Sequence, residues 1–314
     1  MQTVRLESLA PRGWPSPAVT IGNFDGVHRG HQALVSATVE RARRDAGTAV
    51  VLTLDPHPAR LLDPEHAPTA LNTLDQKAEV LAGLGVDRIV VLPFTRELAG
   101  RSPEEFAREI LAGALGASCV VVGPDFRFGR GRQGDTSTLR ALGQRLGFDV
   151  MTIEPVVLGD AAVSSSRVRD ALARGDVEEA EALLGRAFFV DGEVVRGAGR
   201  GRTLGIPTAN VRSENETLPA KGVYAGRCRL PSGEEHVAVI NRGHRPTFGG
   251  GEETLEAHLL DFGDDLYGAR VRVTFAARLR GESRFPGPEA LVAQVRADVA
   301  RARALLGDPR GSGV

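Results

Sequence analysis

Residues 17–31 read PAVTIGNFDGVHRGH, an apolar run that stops at Gly22 and gives way to a helical pattern from Arg29. The spacing predicts a strand over 17–22, a glycine-punctuated turn, and a helix over 29–45. The turn carries two histidines, His28 and His31, split by Gly30. Glycine lets the backbone come close to a phosphate, and a helix start offers unpaired N–H groups at the positive end of its dipole. Imidazoles placed there can donate to phosphate oxygens whose charge grows during reaction. Taken alone, HxGH also describes a turn with two solvent histidines. At the end of the first strand of an alternating pattern, beside Gly22, Asn23, Phe24 and Asp25, it predicts a phosphate site. The three-residue spacing argues against zinc, because a helical pair of ligands uses i, i+4 and needs a third.

Outward from this turn the alternation continues. AVVLTL (49–54), RIVVL (88–92) and CVVVG (119–123) read as strands, and 75–84 and 136–146 as helices. Ser102-Pro103-Glu104-Glu105 opens another helix with a capping box and proline at its first position. Strand runs this continuous in Val, Ile and Leu suit a parallel sheet buried on both faces. The fold class is therefore α/β, a Rossmann-like doubly wound parallel sheet, with ligands expected beyond the C-terminal strand ends. The pattern changes after about residue 160. Residues 166–185 read as two short helices, and from 187 strands and turns succeed one another: FFVDGEVVRG, GVYAGRCRL, HVAVIN, TLEAHLLDF and VRVTFAARLR. That spacing predicts a small antiparallel barrel or sandwich. A closing helix near 287–306 repeats Leu291, Val295 and Val299 at i+4. The expected domains are 1–185 and 186–314.

Length and composition agree. The 314 residues suit two domains at about 150 residues each. With 42% apolar and 25% charged residues the chain is globular in type. No apolar run approaches the roughly 20 residues of a membrane span, and MQTVRLESLAPRG has no signal-peptide core. Cys119 and Cys228 are too few for a disulfide framework, so a reducing cytoplasm is expected. The net charge of −1 argues against broad nucleic-acid binding. Of 39 basic residues only Lys77 and Lys221 are lysines, and only five asparagines occur: Asn23, Asn72, Asn210, Asn215 and Asn241. Codon bias accounts for such drainage, and a surviving asparagine is more often there for a chemical reason.

Three further segments carry chemistry. Gly123-Pro124-Asp125-Phe126-Arg127-Phe128-Gly129 leads into a literal GxGxxG at Gly129, Gly131 and Gly134. Five residues separate it from its strand, whereas a dinucleotide fingerprint follows the strand directly, so it reads as an arginine-bearing loop beside a nucleotide. Ser164-Ser165-Ser166-Arg167 places hydroxyls at a helix start, where they cap it or face a phosphate, with guanidinium groups of Arg167 or Arg169 to meet it. GEVVRGAGRGRTLGIPTAN (192–210) is glycine-rich and basic. From 196 to 247 nine basic residues face four acidic ones, which suits an anionic ligand. Thr208 and Asn210 offer oxygens that suit Mg²⁺. Glu256 sits in an apolar alternating run, where a carboxylate must face solvent or be paired; it can serve as a base toward a hydroxyl. His258, two residues on, reads as structural.

Taken together, GNFDGVHRGH, TLDPHP (53–58), LDQKAEVLAGLGVDRIVVLPF (74–94), GPDFRFG and SSSRVR resemble the adenylyltransferase module of the bacterial FAD synthetase family over about residues 15–185. GRTLGIPTAN, KGVYAG, INRGHRPTFGG, LEAHLLDF and DLYG are similar to the riboflavin kinase module of the same bifunctional family. The resemblance implies a nucleotidylyltransferase sheet, a six-stranded barrel and two reactions: riboflavin and ATP give FMN, then FMN and ATP give FAD and pyrophosphate. It implies that His28 and His31 act at the adenylyl transfer, that Gly22, Asn23, Phe24, Asp25, Gly30, Ser164, Ser165, Ser166 and Arg167 hold ATP, and that Asp125, Phe126 and Phe128 lie on the flavin side. For the kinase it implies Glu256 as base, ATP on Gly199, Gly201, Arg202, Gly205, Thr208 and Asn210, and Mg²⁺ on Thr208 and Asn210. The implied partners are riboflavin, FMN, FAD and ATP, with no nucleic acid or membrane; homo-oligomerisation is left open. Ser166 replaces the family's threonine and keeps the hydroxyl. Arg242 replaces an apolar residue, and alternation allows it either the outer face or a place near the nucleotide.

Overall fold

The strand read first from the sequence is the second of the structure. In the computed structural model, β1 (Gln2–Arg5) forms a sheet edge ahead of β2 (Ala18–Ile21). Then follow α1 (Arg29–Arg44), β3 (Ala49–Asp55), α2 (Pro58–Leu62), α3 (Leu74–Gly83) and β4 (Arg88–Pro93). After α4 (Arg96–Gly100), α5 (Pro103–Glu105) continues as a π-helical stretch, Phe106–Ala114. The Ser102/Glu105 capping box forms as expected. β5 (Cys119–Val122), α6 (Thr136–Leu146) and β6 (Asp149–Thr152) come next, then a small ribbon of β7 (Val157–Leu158) and β8 (Ala161–Ala162). The structure describes residues 1–6, 10–197, 205–245 and 252–307.

All six sheet strands run parallel, in the order β1-β4-β3-β2-β5-β6. Alternation along each strand sends side chains to both faces. Val19, Leu52, Val90 and Val120 pack under Phe106, Ile110, Leu111 and Leu139. On the other face Val51, Ile89 and Val91 meet Val35 of α1 and Leu81 of α3. The strand order reverses between β2 and β5, and such a switch point opens a crevice at the C-terminal strand ends. The loop after β2 carries GNFDGVHRGH and the loop after β5 carries GPDFRFG, so the topology brings both to that crevice.

The backbone divides into two units, one of Met1–Thr69 and Leu74–Ser164, the other of Ala70–Thr73 and Ser165–Val314. The second unit opens with α7 (Ser165–Arg174) and α8 (Val177–Leu184). Its strands are β9 (Phe188–Val195), β10 (Ala209–Ser213), β11 (Gly222–Arg229), β12 (Glu235–Arg245), β13 (Glu252–Leu259) and β14 (Arg270–Arg280). They close an antiparallel barrel, β10-β13-β12-β11-β14-β9. Tyr224 and Phe275 meet edge-to-face in its interior, with ring centres 5.4 Å apart. Outside, α9 (Pro288–Leu306) lays Val299, Ala302 and Leu306 against Val223, Val237 and Val239.

Five strands escape the sequence pattern: β1, β6, β10 and the two-residue β7 and β8. The edge strands QTVR and DVMT bury almost nothing, and ANVRS buries only Val211, so none shows the apolar alternation that announces a strand.

Candidate active sites

The turn after β2 is tightly wound. Phe24, Gly26 and Val27 all take left-handed backbone angles, with φ of 48°, 79° and 44°. Phe24 and Val27 are fully buried, and non-glycine residues in that region persist only where the surroundings hold them. The surroundings are specific. Lys77 Nζ donates to the Asn23 carbonyl oxygen at 2.7 Å, and Thr53 Oγ1 donates to the same oxygen at 3.2 Å. The Asn23 side-chain amide lies 2.9 Å from His57 Nε2. His57 in turn caps α2 by accepting from the Ala59 N–H at 3.2 Å.

His28 is the N-cap of α1: its Nδ1 accepts from the His31 N–H at 3.3 Å. A neutral ring so engaged carries its proton on Nε2. The His28 and His31 rings stack with centres 3.7 Å apart and planes within 18°. Burial, then the His28 ring, then the Lys77 ammonium push the His31 imidazole well below its ordinary pKa of 6.5, so it is neutral near pH 7. Gly30 is needed here, because a Cβ would press on the His28 ring at 3.2 Å and approach the Val163 carbonyl at 3.5 Å. That contact brings the residue next to Ser164 onto the histidine turn. Asp25 is buried, 6% exposed. Burial also lowers the Lys77 ammonium pKa, while Asp25 and Asp55 hold it up.

The loop after β5 differs from a phosphate cradle. Phe128 and Gly134 exchange both backbone hydrogen bonds, at 3.0 and 2.9 Å, and close the segment on itself. The GxGxxG glycines serve that closure: a Cβ at Gly129 would strike Pro103, and one at Gly134 the Phe128 ring. Phe128 lies in the sheet core, Phe126 stacks on it at 5.5 Å, and Asp125 is exposed. Asp135, not a glycine, starts α6 by accepting from Thr138 N–H at 2.8 Å. Ser165 and Ser166 open α7, and Arg167 lies 3.6 Å from Glu179.

In the barrel, register gathers residues that the sequence scatters. Asn210 of β10 and Asn241 of β12 stand directly across from Glu256 of β13, one on each side. Directly opposed residues share a face, with Cβ atoms about 4.5–5.5 Å apart. Leu255, Ala257 and Leu259 point inward, being 3%, 0% and 5% exposed, so the Asn210–Glu256–Asn241 row lies on the outer face. His258 Nδ1–H donates to the Pro207 carbonyl at 2.7 Å and ties the Pro207-Thr208-Ala209-Asn210 segment to β13. Thr208 is half-buried on the approach to β10, and Gly205 takes φ 72°. A Cβ at Gly197 would overlap the Asn210 amide, so a glycine seats that side chain. Arg242 is opposite Leu255 and therefore on the inward face, away from Glu256, which corrects the outer-face placement that alternation allowed. Gly199, Gly201 and Arg202 lie outside the described residues.

Motif reading thus named His28, His31, Asn210 and Glu256, and passed over Lys77, Thr53, His57 and Gly197. TLDPHP, which holds Thr53 and His57, and the scarcity of lysine marked three of these without assigning them a task.

Comparison with known proteins completes the picture. Residues 11–167 match the family model described as FAD synthetase, and residues 184–306 the model described as riboflavin kinase. A Pseudomonas fluorescens protein called bifunctional riboflavin kinase/FMN adenylyltransferase is 44% identical over 97% of this chain and 98% of its own length. Its Escherichia coli K12 counterpart is 40% identical, with 98% of each chain covered. A crystal structure described as a macrolide-efflux protein from Streptococcus pneumoniae superposes with TM-score 0.89 at 32% identity, covering 96% of this chain and 99% of that one. Among the described residues, no helix is long and apolar enough to cross a membrane.

Proposed function

Since the chain belongs to the bifunctional riboflavin kinase/FMN adenylyltransferase family, we propose that its two reactions are divided between the two constellations described above. The chain phosphorylates riboflavin to FMN with ATP and then adenylylates FMN to FAD, releasing pyrophosphate. The observation that carries the division is the placement of His28 and His31 in the first unit and of Asn210 and Glu256 in the second.

In the barrel, Glu256 takes the proton of the riboflavin 5′-hydroxyl as that oxygen attacks the γ-phosphorus of ATP, and ADP leaves. Phosphoryl transfer rests on positioning and charge stabilisation, with no covalent enzyme intermediate. Thr208 and Asn210 would hold Mg²⁺. Two neutral oxygen donors suit an ion that keeps waters and completes its shell with substrate phosphates. The Asn210 side chain, seated against Gly197 and opposite Glu256, fits that task. When bound, Mg²⁺ neutralises phosphate charge.

In the sheet unit, a phosphate oxygen of FMN attacks the α-phosphorus of ATP and pyrophosphate leaves. His28, with its proton on Nε2, and neutral His31 supply hydrogen bonds to the phosphate oxygens as charge builds. Gly22, Asn23, Phe24, Asp25 and Gly30 shape that pocket, and Ser164 adds a hydroxyl toward the triphosphate. Phe126, backed by Phe128, and Asp125 form the flavin side. Both cysteines are buried free thiols, with burial pushing Cys228 up to about 12, so they are unreactive, and we place the chain in a reducing cytoplasm.

Flavins resolved by chromatography test the division. Glu256→Gln is expected to abolish FMN formation from riboflavin and to leave FMN-to-FAD conversion near wild type. His28→Ala is expected to do the reverse. Loss of both activities in either variant contradicts it.

A further inference from the structure

Lys77 is a half-buried cation with no part in the roles assigned so far. Only two of the 39 basic residues are lysine, so this one stands where arginine, the chain's usual cation, was not used. The two differ in shape: an ammonium is a compact point charge, whereas a guanidinium is a wide planar fork. From α3, Lys77 Nζ reaches the Asn23 carbonyl at 2.7 Å, across 54 residues of sequence. Thr53 Oγ1 meets the same oxygen, and His57 meets the other end of Asn23. Asn23 is therefore gripped at both ends immediately before Phe24, which is fully buried with φ 48°. From Phe24 the chain runs through left-handed Gly26 and Val27 directly into His28.

We propose that Lys77 is a positioning residue for adenylyl transfer, which, with Thr53 and His57, pins Asn23 and so fixes the turn that presents the His28–His31 stack. The inference rests on assigning adenylyl transfer to those histidines. The ammonium has a second effect. The charged and titratable groups around the stack are Lys77 from α3, Asp25 in the turn, Asp55 at the end of β3 and His57 beyond it, Arg5 of β1 paired with Asp55 at 3.2 Å, and Arg29, which follows His28 in sequence at the start of α1. Lys77 opposes protonation of His31, adding to burial and to His28. Removing the charge while keeping the stem lets His31 take a proton at higher pH.

The experiment uses the full chain, with riboflavin phosphorylation as the control for an active barrel and a thermal melt as the control for folding of the first unit. Lys77→Met is expected to lower kcat/KM for FMN-to-FAD conversion at least about tenfold. It is also expected to move the acidic limb of the adenylyltransferase pH–rate profile to higher pH, with kinase activity within twofold of wild type. Lys77→Arg keeps the charge but not the fit, so the rate falls and the limb stays in place. A Lys77→Met enzyme within twofold of wild type at all pH values overturns the proposal. So does a slower enzyme whose acidic limb has not moved, because that makes Lys77 mere structural support. Should Lys77→Met unfold the first unit, Thr53→Val removes the other donor to the Asn23 oxygen. A several-fold loss with an unmoved limb is then expected, and an unchanged rate overturns the clamp. His28→Ala in parallel separates the two layers: if it still makes FAD, the assignment of the histidines fails; if it makes none while Lys77→Met is normal, only the role of Lys77 fails.

Discussion

Glu256 gains its proposed role from its neighbours across the strands. In sequence it lies 46 residues beyond Asn210 and 15 beyond Asn241, and register sets all three side by side. Gly197 is the least obvious member of this group, since its contribution is the space it leaves for the Asn210 amide. Gly197→Ala is expected to cut riboflavin kinase kcat/KM about 10- to 100-fold by displacing that amide, while FAD formation from supplied FMN stays normal in the same preparation. His31 carries a pH prediction. Its folded pKa is depressed, so below about 6.5 the unfolded chain binds a proton that the folded chain refuses. Stability of the first unit is therefore fully present above that pH and is lost as pH falls, by up to about 1.4 kcal/mol per pH unit for this one group. Denaturant titrations at pH 5 and 7.5 should show this loss, and His31→Gln should reduce it. The proposed roles of the motif histidines, Asn210 and Glu256 rest on motifs that the sequence shows and on the family resemblance those motifs carry. Lys77 and Gly197 were not legible there, since each matters through one contact that only the folded chain creates.

At the level of elements, legibility followed burial. β2, β3, β4 and β5 are buried through their length and read as unbroken apolar runs. β1 and β6 sit at the sheet edges, and β10 carries the polar PTAN end, so each lacks the pattern that a buried face imposes. α9 was legible from Leu291, Val295 and Val299, but its anchor was hidden. Asp298, 1% exposed, accepts from Arg280 at 2.9–3.3 Å and from Gln294 at 3.0 Å. Removing one partner of such a buried pair costs about 3–5 kcal/mol, because the other charge is left without compensation. Asp298→Ala should therefore lower the unfolding midpoint of the barrel unit markedly, read by thermal denaturation, whereas Asp298→Asn, which keeps a hydrogen-bond acceptor, should lose less.

Over the whole molecule, a net charge of −1 conceals opposite local demands. The basic excess between 196 and 247 pointed to an anionic ligand, yet part of it is structural. Arg212 pairs with Glu193, Arg229 pairs with Glu235, Arg227 donates to the Leu306 carbonyl at the end of α9, and Arg242 lies on the inward face of β12. Net charge over this span is therefore a poor guide to an anionic ligand; glycines, hydroxyls and strand register carry the proposed site better. The central claim is that one chain holds two independent reaction centres, one on each unit. The most direct test supplies riboflavin, ATP and Mg²⁺ to Glu256→Gln, to His28→Ala, and to an equal mixture of the two, and follows the flavins formed. Two separate centres give no new flavin from the first, FMN without FAD from the second, and FAD from the mixture. FAD from either variant alone, or none from the mixture, would contradict it.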